Sequence, residues 1–229
     1  MLASIFTANT YGMGLRSFVA LPVEKDGGVV RLSFIHADDA DTDTFVASAA
    51  YGISAKQTLL LGMPYRLSPG GDNRQGDLSV LYRHLVVQKD NLHGTYRLGL
   101  LGGAIVPTDS DRDAAIQAGF VTTYFQNRHE VDTDIIFQAG TGDRADSGRY
   151  DISWQYRLMP AERPEWGINQ EWNSVLELNG RWTEGNNMTH QITAGLQWLH
   201  PKWVIEGGLV QDLNNEEEFR YLLSMRFHF

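Results

Sequence analysis

The sequence predicts an all-β protein, specifically an antiparallel, up-and-down transmembrane β-barrel of twelve strands. Three observations lead to this prediction. The last eleven residues alternate between two kinds of side chain, twelve segments of the chain share that alternation, and the connections between the segments are of two alternating kinds. An even number of antiparallel strands is the rule for single-chain bacterial outer-membrane barrels.

The C-terminal segment has the clearest strand pattern. From Phe219 to Phe229 an aromatic or large apolar residue occupies every second position, and arginine, serine and histidine occur between them. Successive side chains of a strand point to opposite faces, so one face suits lipid and the other suits water. This strand, with its terminal Phe229, is typical of outer-membrane barrels, and we expect the barrel-assembly machinery to recognise it.

Composition excludes several other classes of protein. The 229 residues include 23 Gly, 7 Pro and 11% aromatic residues, which suits many strands joined by turns. No segment approaches the roughly 20 apolar residues of a transmembrane helix, whereas a transmembrane strand needs only alternate apolar positions. The absence of Cys excludes disulfides and thiolate metal sites. A net charge of −9 without a basic patch makes nucleic acid an unsuitable partner.

Alternation and turn residues together define the predicted strands. They lie at 29–36, 42–52, 56–66, 76–87, 93–106, 114–126, 129–140, 148–159, 171–184, 188–199, 202–212 and 218–229.

The predicted connections fall into a short set and a long, mostly acidic set. The short ones are 53–55, 88–91, 127–128 and 200–201, and the long ones are 36–44, 68–76, 107–113, 140–148, 185–187 and 212–218. Antiparallel strands place alternate connections at opposite ends, so the long set matches extracellular loops and the short set periplasmic turns. Residues 160–170 are the exception, because they form a long connection on the short side.

The start of the chain is predicted to lie outside the barrel wall. Residues 1–12 resemble the end of a secretory signal peptide, although its basic first part is missing. Residues 13–28 form an N-terminal segment that we expect in the lumen or the periplasm. Its apolar Phe18, Val19 and Leu21 suit a plug in the barrel. The barrel itself is predicted to span residues 29–229.

The apolar face of the strands is predicted to point outward to lipid. A soluble barrel would point that face inward, but twelve strands enclose more space than apolar side chains readily fill. Aromatic residues also recur near the strand ends, where they would form girdles at the two membrane–water interfaces. The predicted interface aromatics are Tyr51, Tyr65, Tyr124, Trp154, Trp182, Trp198, Trp203 and Phe229.

With the faces assigned in this way, charged residues of both signs line the lumen. The predicted pore-lining residues are Arg31, Arg83, Arg97, Asp132, Asp134, Arg149, Asp151, Arg157, Glu177, Arg181, Glu206, Arg220 and Arg226. Two interpretations remain open: the charges pair across strands and brace the barrel, or the excess arginine forms a constriction that selects solutes by size and charge.

Several short motifs resemble one family. These are residues 51–53, 61–65, 76–78, 103–108 and 176–180, together with the terminal Phe229. From about residue 45 to its end, the chain resembles the bacterial outer-membrane barrels named for the MetA pathway of phenol degradation. The resemblance implies an outer-membrane barrel that passes small compounds, including aromatic ones, and it brings no catalytic residues.

We therefore expect a narrow, charged-lumen pathway for a small-molecule solute in the outer membrane of a Gram-negative bacterium. Outer-membrane lipid and lipopolysaccharide are the expected partners, and no cofactor, metal site or catalytic residue is predicted. Two alternatives stay open. One is an occluded barrel with a structural or partner-binding role, and the other is an outer-membrane hydrolase, although neither a G-x-S-x-G nor an H-E-x-x-H motif occurs.

Overall fold

Twelve antiparallel strands close into a single barrel. The structure is a computed structural model and describes residues 14–71, 74–92, 94–162, 170–214 and 218–229. Each strand pairs with the next along the chain, and β1 pairs with β12 to close the cylinder. Within these ranges there is no helix that is long and apolar enough to cross a membrane. The predicted all-β fold with twelve strands is confirmed.

The strands follow the predicted order. They are β1 (Gly28–Ala37), β2 (Thr42–Ser54), β3 (Gln57–Ser68), β4 (Leu78–Asn91), β5 (Gly94–Val106), β6 (Ala115–Gln126), β7 (His129–Gly140), β8 (Ser147–Met159), β9 (Glu171–Thr183), β10 (Thr189–His200), β11 (Trp203–Asp212) and β12 (Phe219–His228).

The largest difference from the predicted bounds is at the end of β4. The predicted turn at 88–91 is wrong, because these polar residues pair with Gly94–Arg97 and extend the hairpin. A register shift between Leu85 and Val87 separates them from the apolar part of β4. Such a bulge inserts an unpaired residue, which interrupts the alternation that a sequence reading follows.

Alternate side chains point to opposite sides of the barrel wall. On β7, Asp132 and Asp134 are fully buried on the inner side, whereas Ile135 and Phe137 are exposed on the outer side. The same holds on β12, where Arg226 is buried and Leu223 is 60% exposed. The barrel therefore has an apolar exterior and a largely polar interior, which is the reverse of a soluble barrel.

The contact between β3 and β4 is the shortest of the wall. Residues Gln57–Gly62 of β3 pair with Ser79–His84 of β4, and β3 then continues to Ser68 with one isolated bridge, from Tyr65 to Gln75. Pro64 lies in the poorly paired part and has no N–H to donate to a neighbouring strand. This seam is the least hydrogen-bonded part of the described wall.

Residues 14–23 lie inside the barrel, and residues 24–26 are exposed at its tight-turn end. Leu15, Val19 and Ala20 are at most 5% exposed. The chain passes close to β2 at Gly52, where a Cβ would come within 1.9 Å of the carbonyl oxygen of Glu24. Glycine at this position lets the segment lie directly against the wall before it continues into β1.

Candidate functional site: the barrel interior

One side of the interior is a wall of buried charges on β7, β8 and β9. Asp151 pairs with two arginines, Arg149 at 3.0 Å and Arg181 at 2.7 Å. Arg149 also lies 3.3 Å from Asp134. Unpaired charge is costly away from bulk water, so these pairs brace the inner face of the three strands. We call β7–β12 and their inward side chains the charged wall.

A second ion cluster lies where β1, β11 and β12 meet. Glu206 is fully buried and pairs with Arg31 at 2.6 Å and with Arg226 at 3.0 Å. Gln197 donates a further hydrogen bond to Glu206 at 2.9 Å, and Ser224 donates another. One carboxylate is therefore shared by two guanidinium groups, and it ties the closing strand pair of the barrel to its neighbour.

The charged wall also holds the backbone of the N-terminal segment. The N–H of Arg16 donates to Glu177 Oε2 at 3.1 Å, and the N–H of Phe18 donates to Asp134 Oδ2 at 2.8 Å. On β6, Thr123 Oγ1 accepts from the N–H of Ala20 at 2.9 Å. Lumen side chains thus supply the acceptors that water or a neighbouring strand would otherwise supply.

Arginines bind the same segment through its carbonyl groups. Arg31 donates to the carbonyl oxygen of Leu15, and Arg83 donates to that of Val19. The guanidinium of Arg149 lies 4.6 Å above the ring of Phe18, a cation–π distance. Donors and acceptors on the barrel therefore match the acceptors and donors of the segment backbone, which fixes its path across the lumen.

The opposite side of the interior is lined by small and apolar side chains of β1 to β5. Between it and the N-terminal segment lies a cavity of about 530 Å³. Its apolar lining includes Val29, Ile35, Val46, Ala50, Leu60 and Leu81. We call β1–β5 and these inward side chains the apolar wall. A cavity of this volume is in the range of small-molecule sites.

The loop end of this cavity is bordered by an ion cluster that joins three loops. Asp77 accepts from Arg112 and from Arg144, each at 2.7 Å, and both arginines belong to other loops. Burial alone would raise the pKa of the Asp77 carboxyl. Its bonds from Arg144 and the N–H of Thr108, with the charge of Arg112, outweigh burial and hold that pKa below its ordinary value. Asp77 is therefore ionised at neutral pH and keeps the loops joined.

The predicted pore-lining residues divide into two groups in the structure. Ten lie in the middle of the barrel or around the cavity, namely Arg31, Arg83, Asp132, Asp134, Arg149, Asp151, Glu177, Arg181, Glu206 and Arg226. The other three lie near the ends of the barrel. Arg97 pairs with Asp90 at 2.8 Å, Arg220 pairs with Asp212 at 2.6 Å, and Arg157 donates to the carbonyl oxygen of Asn127 at 3.2 Å.

The predicted interface aromatics lie on the outer surface, near the two ends. Tyr51, Tyr124, Trp154, Trp198, Trp203 and Phe229 are at the end with the tight turns, and Tyr65 and Trp182 are at the end with the long loops. Trp198 stacks on Trp172 at 5.5 Å and meets Trp203 edge-on at 4.8 Å. At the other end, Trp182 stacks on Phe137 at 6.2 Å.

Sequence reasoning missed the uncharged parts of the site. Thr123 donates to Asp132 at 2.5 Å and Gln155 donates to it at 2.7 Å, while Asn179 donates to Asp151 at 2.7 Å. The alternation of β8 and β9 already places Gln155 and Asn179 on the inner face, so polar uncharged residues at those positions were an available signal. The sequence of the strands that form the apolar wall contains no comparable sign of which residues point inward.

Solved structures with a similar fold are outer-membrane channels. The chain is similar to a KdgM porin in complex with disordered oligogalacturonate, with a TM-score of 0.60 and 9% identity over 88% of this chain and 99% of that one. The chain has the fold of an outer-membrane porin. The chain is also similar to a NanC porin, with a TM-score of 0.58 and 9% identity over 86% of this chain and 98% of that one.

A third similar structure is the COG4313 outer membrane channel from Pseudomonas putida F1. Its TM-score is 0.52 at 17% identity, over 91% of this chain and 97% of that one. No protein-family model matches the sequence, and a search of curated proteins finds no match. The porin fold is therefore established by structure, while the resemblance to the phenol-degradation barrels stays a prediction.

Proposed function

We propose that this protein is an outer-membrane barrel that gives small, largely apolar solutes a narrow pathway through its interior. The observation that carries the proposal is the cavity of about 530 Å³ inside a closed barrel, lined on one side by apolar side chains. The apolar exterior and the aromatic residues near both ends support a location in the outer membrane of a Gram-negative bacterium, in contact with lipid and lipopolysaccharide.

The apolar lining favours hydrophobic or aromatic solutes over sugars. A hydrophilic porin needs a polar, water-filled lumen, whereas Leu60, Leu81 and Val46 offer a ligand no hydrogen bonds. An aromatic ring buries apolar area against such a surface. This agrees with the resemblance to the phenol-degradation barrels, a membership that we also propose.

The N-terminal segment restricts the pathway. Its backbone is bound across the lumen from Glu177 on β9 to Thr58 on β3, where the N–H of Val23 donates at 3.2 Å. The cavity lies beside the segment and shares Phe18 and Val19 with it. We infer that large hydrophilic solutes are excluded, and that small solutes pass along the apolar wall.

Flux into proteoliposomes tests the proposed function. Refolded protein should admit benzamide, a small neutral aromatic, faster than it admits a neutral sugar of similar mass. Protein-free liposomes give the background rate for each solute. Equal acceleration of both solutes would indicate a hydrophilic pore, and no acceleration of either by correctly folded protein would refute a pathway.

An occluded barrel with a structural or partner-binding role is the second candidate. It is favoured by the many hydrogen bonds between the segment and the lumen, and the absence of any flux would be its signature. A hydrolase has less support, because the described histidines contact groups such as Asp43, Tyr150 and Trp154 rather than a serine nucleophile.

The C-terminal strand is proposed to be the segment that the barrel-assembly machinery recognises. In the barrel, β12 pairs with β11 and closes the cylinder against β1, so until closure one edge of β12 is unpaired and available to another protein. Substitution of Phe229 by Ala should then slow assembly in membranes containing that machinery, relative to spontaneous refolding in detergent.

A further inference from the structure

Arg83 differs from the other strand arginines that line the cavity. Its side chain is 3% exposed, and it lines the cavity on the apolar wall. Arg31, Arg149, Arg181 and Arg226 each pair with a carboxylate. The described contacts of Arg83 are instead two neutral oxygens, the carbonyl of Val19 and the hydroxyl of Thr58, the latter at 3.2 Å.

The surroundings of Arg83 are apolar. On β4, Leu81 lies two residues before Arg83 and points to the same inner face. On β3, Arg83 pairs in register with Thr58, and Leu60 is the next residue on the inner face of that strand. Across the β4–β5 pair, Gly99 leaves room for its stem, since a Cβ there would come within 3.3 Å of Arg83 Cγ. Among the described residues this buried guanidinium has no carboxylate counter-ion, which is an expensive arrangement unless a ligand supplies one.

We propose that Arg83 is an anion-binding residue and that the cavity takes a monocarboxylate with an apolar body. The carboxylate would meet the guanidinium, whose planar fork suits a two-oxygen acceptor. The apolar body would lie against Leu60, Leu81 and Val46. A single guanidinium balances the one charge of a carboxylate, whereas a doubly charged phosphate would remain uncompensated.

The loop-end border of the cavity also suits an anion. Arg144, Arg149 and Arg181 line it there, and Asp77 is the acidic side chain among the described lining residues. Clefts lined mostly by one sign of charge raise the local concentration of oppositely charged solutes. These three arginines each keep a carboxylate partner and contribute only weakly to attraction. Arg83, deeper in the cavity and without a carboxylate partner among the described residues, supplies the charge that would bind an organic anion.

The inference rests on the proposed function, because it names the class of solute that the cavity accepts. Its test is nevertheless a binding measurement on the full chain in detergent micelles and requires no transport. A barrel that binds the anion through Arg83 but passes no solute into liposomes would refute the pathway and leave the site standing.

Isothermal titration calorimetry with benzoate and benzamide tests the site. The two probes share ring and size but differ in charge at neutral pH, and protein-free micelles give the background for each. Benzoate should bind about tenfold or more tightly than benzamide, because charge-assisted hydrogen bonds are roughly twice as strong as neutral ones. Acetate, which has the charge but no apolar body, should bind more weakly than benzoate.

Arg83→Met keeps the length of the side chain and removes its charge. It should lower the affinity for benzoate by about tenfold or more and leave the affinity for benzamide unchanged. The matched control Arg97→Met lies outside the cavity and should change neither affinity. If Arg83→Met does not refold, Arg83→Lys should still lower the ratio of benzoate to benzamide affinity, because it lacks the fork. Equal binding of the two probes by the native chain, or an unchanged ratio in the Arg83 variants, would overturn the site.

Discussion

The charged wall and the apolar wall of this barrel perform different tasks with the same strand geometry. On the charged wall, carboxylates such as Glu177 and Asp134 are buried and bind the backbone of the N-terminal segment. On the apolar wall, Val46, Leu60 and Leu81 border an empty volume of about 530 Å³. The difference shows that a barrel can fix an internal segment on one side and keep room for a solute on the other.

The physical basis of the difference is the cost of leaving polar groups unpaired. Segment N–H and carbonyl groups need partners inside the barrel. Side chains of β6, β7 and β9 accept from three of the N–H groups, whereas Arg31, Thr58 and Arg83 are the described partners on β1, β3 and β4. The apolar side chains of β1 to β5, such as Val46, Leu60 and Leu81, cannot bond to the segment backbone, so the segment does not lie directly against them. The cavity is the space that remains between them.

Removing the N-terminal segment should have the largest effect on the pathway between the two walls. Deletion of residues 14–26 takes away the main chain that crosses the lumen, so single-channel conductance in planar bilayers should rise several-fold. Leu100→Ala, an exterior substitution on β5, is the control and should leave conductance unchanged. Unchanged conductance in the deletion variant, with the barrel shown to be folded, would mean that the segment does not limit the pathway.

Filling the cavity beside the apolar wall should have the next largest effect, on the affinity for a small solute. Ser48 lines the cavity from β2, and Ser48→Trp would occupy part of its volume. Affinity for benzamide, measured by calorimetry, should fall by about tenfold or more, because a site of this size cannot hold both groups. Ala47→Trp points outward from the same strand and should change affinity little. A similar loss in both variants would show that the cavity is not the binding volume.

Weakening the charged wall should loosen the segment without removing it. Asp134→Asn with Glu177→Gln replaces two carboxylate acceptors by amides, which should cost about 1–3 kcal/mol in segment binding. Hydrogen exchange of the N–H groups of residues 16–20 should then accelerate. Asp90→Asn, which alters a carboxylate that pairs with Arg97 near the tight-turn end, is the control. Unaltered exchange in the double variant would argue against anchoring by these carboxylates.

Acidification should release the loops above the apolar wall before it affects the barrel. The pKa of Asp77 is lowered in the folded state, so its stabilisation is present above the unfolded pKa of about 3.9 and is lost as the pH falls through the lower folded value. Protease cleavage in the loops should therefore be unchanged near neutral pH and increase only in strong acid. Asp77→Asn should show the increased cleavage at every pH, and equal cleavage of native chain and variant at neutral pH would contradict the role of Asp77.

The smallest expected effect concerns the seam between β3 and β4. Beyond Gly62, β3 has one bridge to the β4 side, whereas β8 and β9 pair along nearly their whole length. On that side of β3 the N–H of Arg66 donates to a loop carbonyl, that of Arg74, at 2.8 Å, and it should exchange faster with D₂O than the N–H groups of the β8–β9 pair. Equal protection in mass-spectrometric exchange would show that the seam is as closed as the rest of the wall.

The strands and the orientation of their faces were predictable because both depend on local alternation. Tyr150 to Arg157 read as one apolar and one polar face, and Asp151 and Arg157 do point inward. The inward charges were predictable for the same reason. Their partners were not, since the pair of Arg31 with Glu206 depends on the register of β1, β12 and β11.

The apolar wall was not predictable, because its strands are apolar on both faces. Leu59, Leu60 and Leu61 follow one another on β3, so alternation gives no sign that Leu60 points into the lumen. The path of residues 14–27 was equally hidden. It depends on acceptors from β3, β6, β7 and β9, which only the closed barrel brings together.

Thiol labelling at one position on each wall tests the division of the lumen most directly. The chain has no Cys, so Ser48→Cys and Ser153→Cys each introduce a single reactive group. Ser48 lines the cavity, whereas Ser153 is fully buried beside the segment. With a small neutral methanethiosulfonate, we expect Ser48→Cys to label rapidly and Ser153→Cys to stay protected until residues 14–26 are deleted. Equal labelling of the two positions in the full chain would contradict the division into a charged wall that holds the segment and an apolar wall that borders the solute cavity.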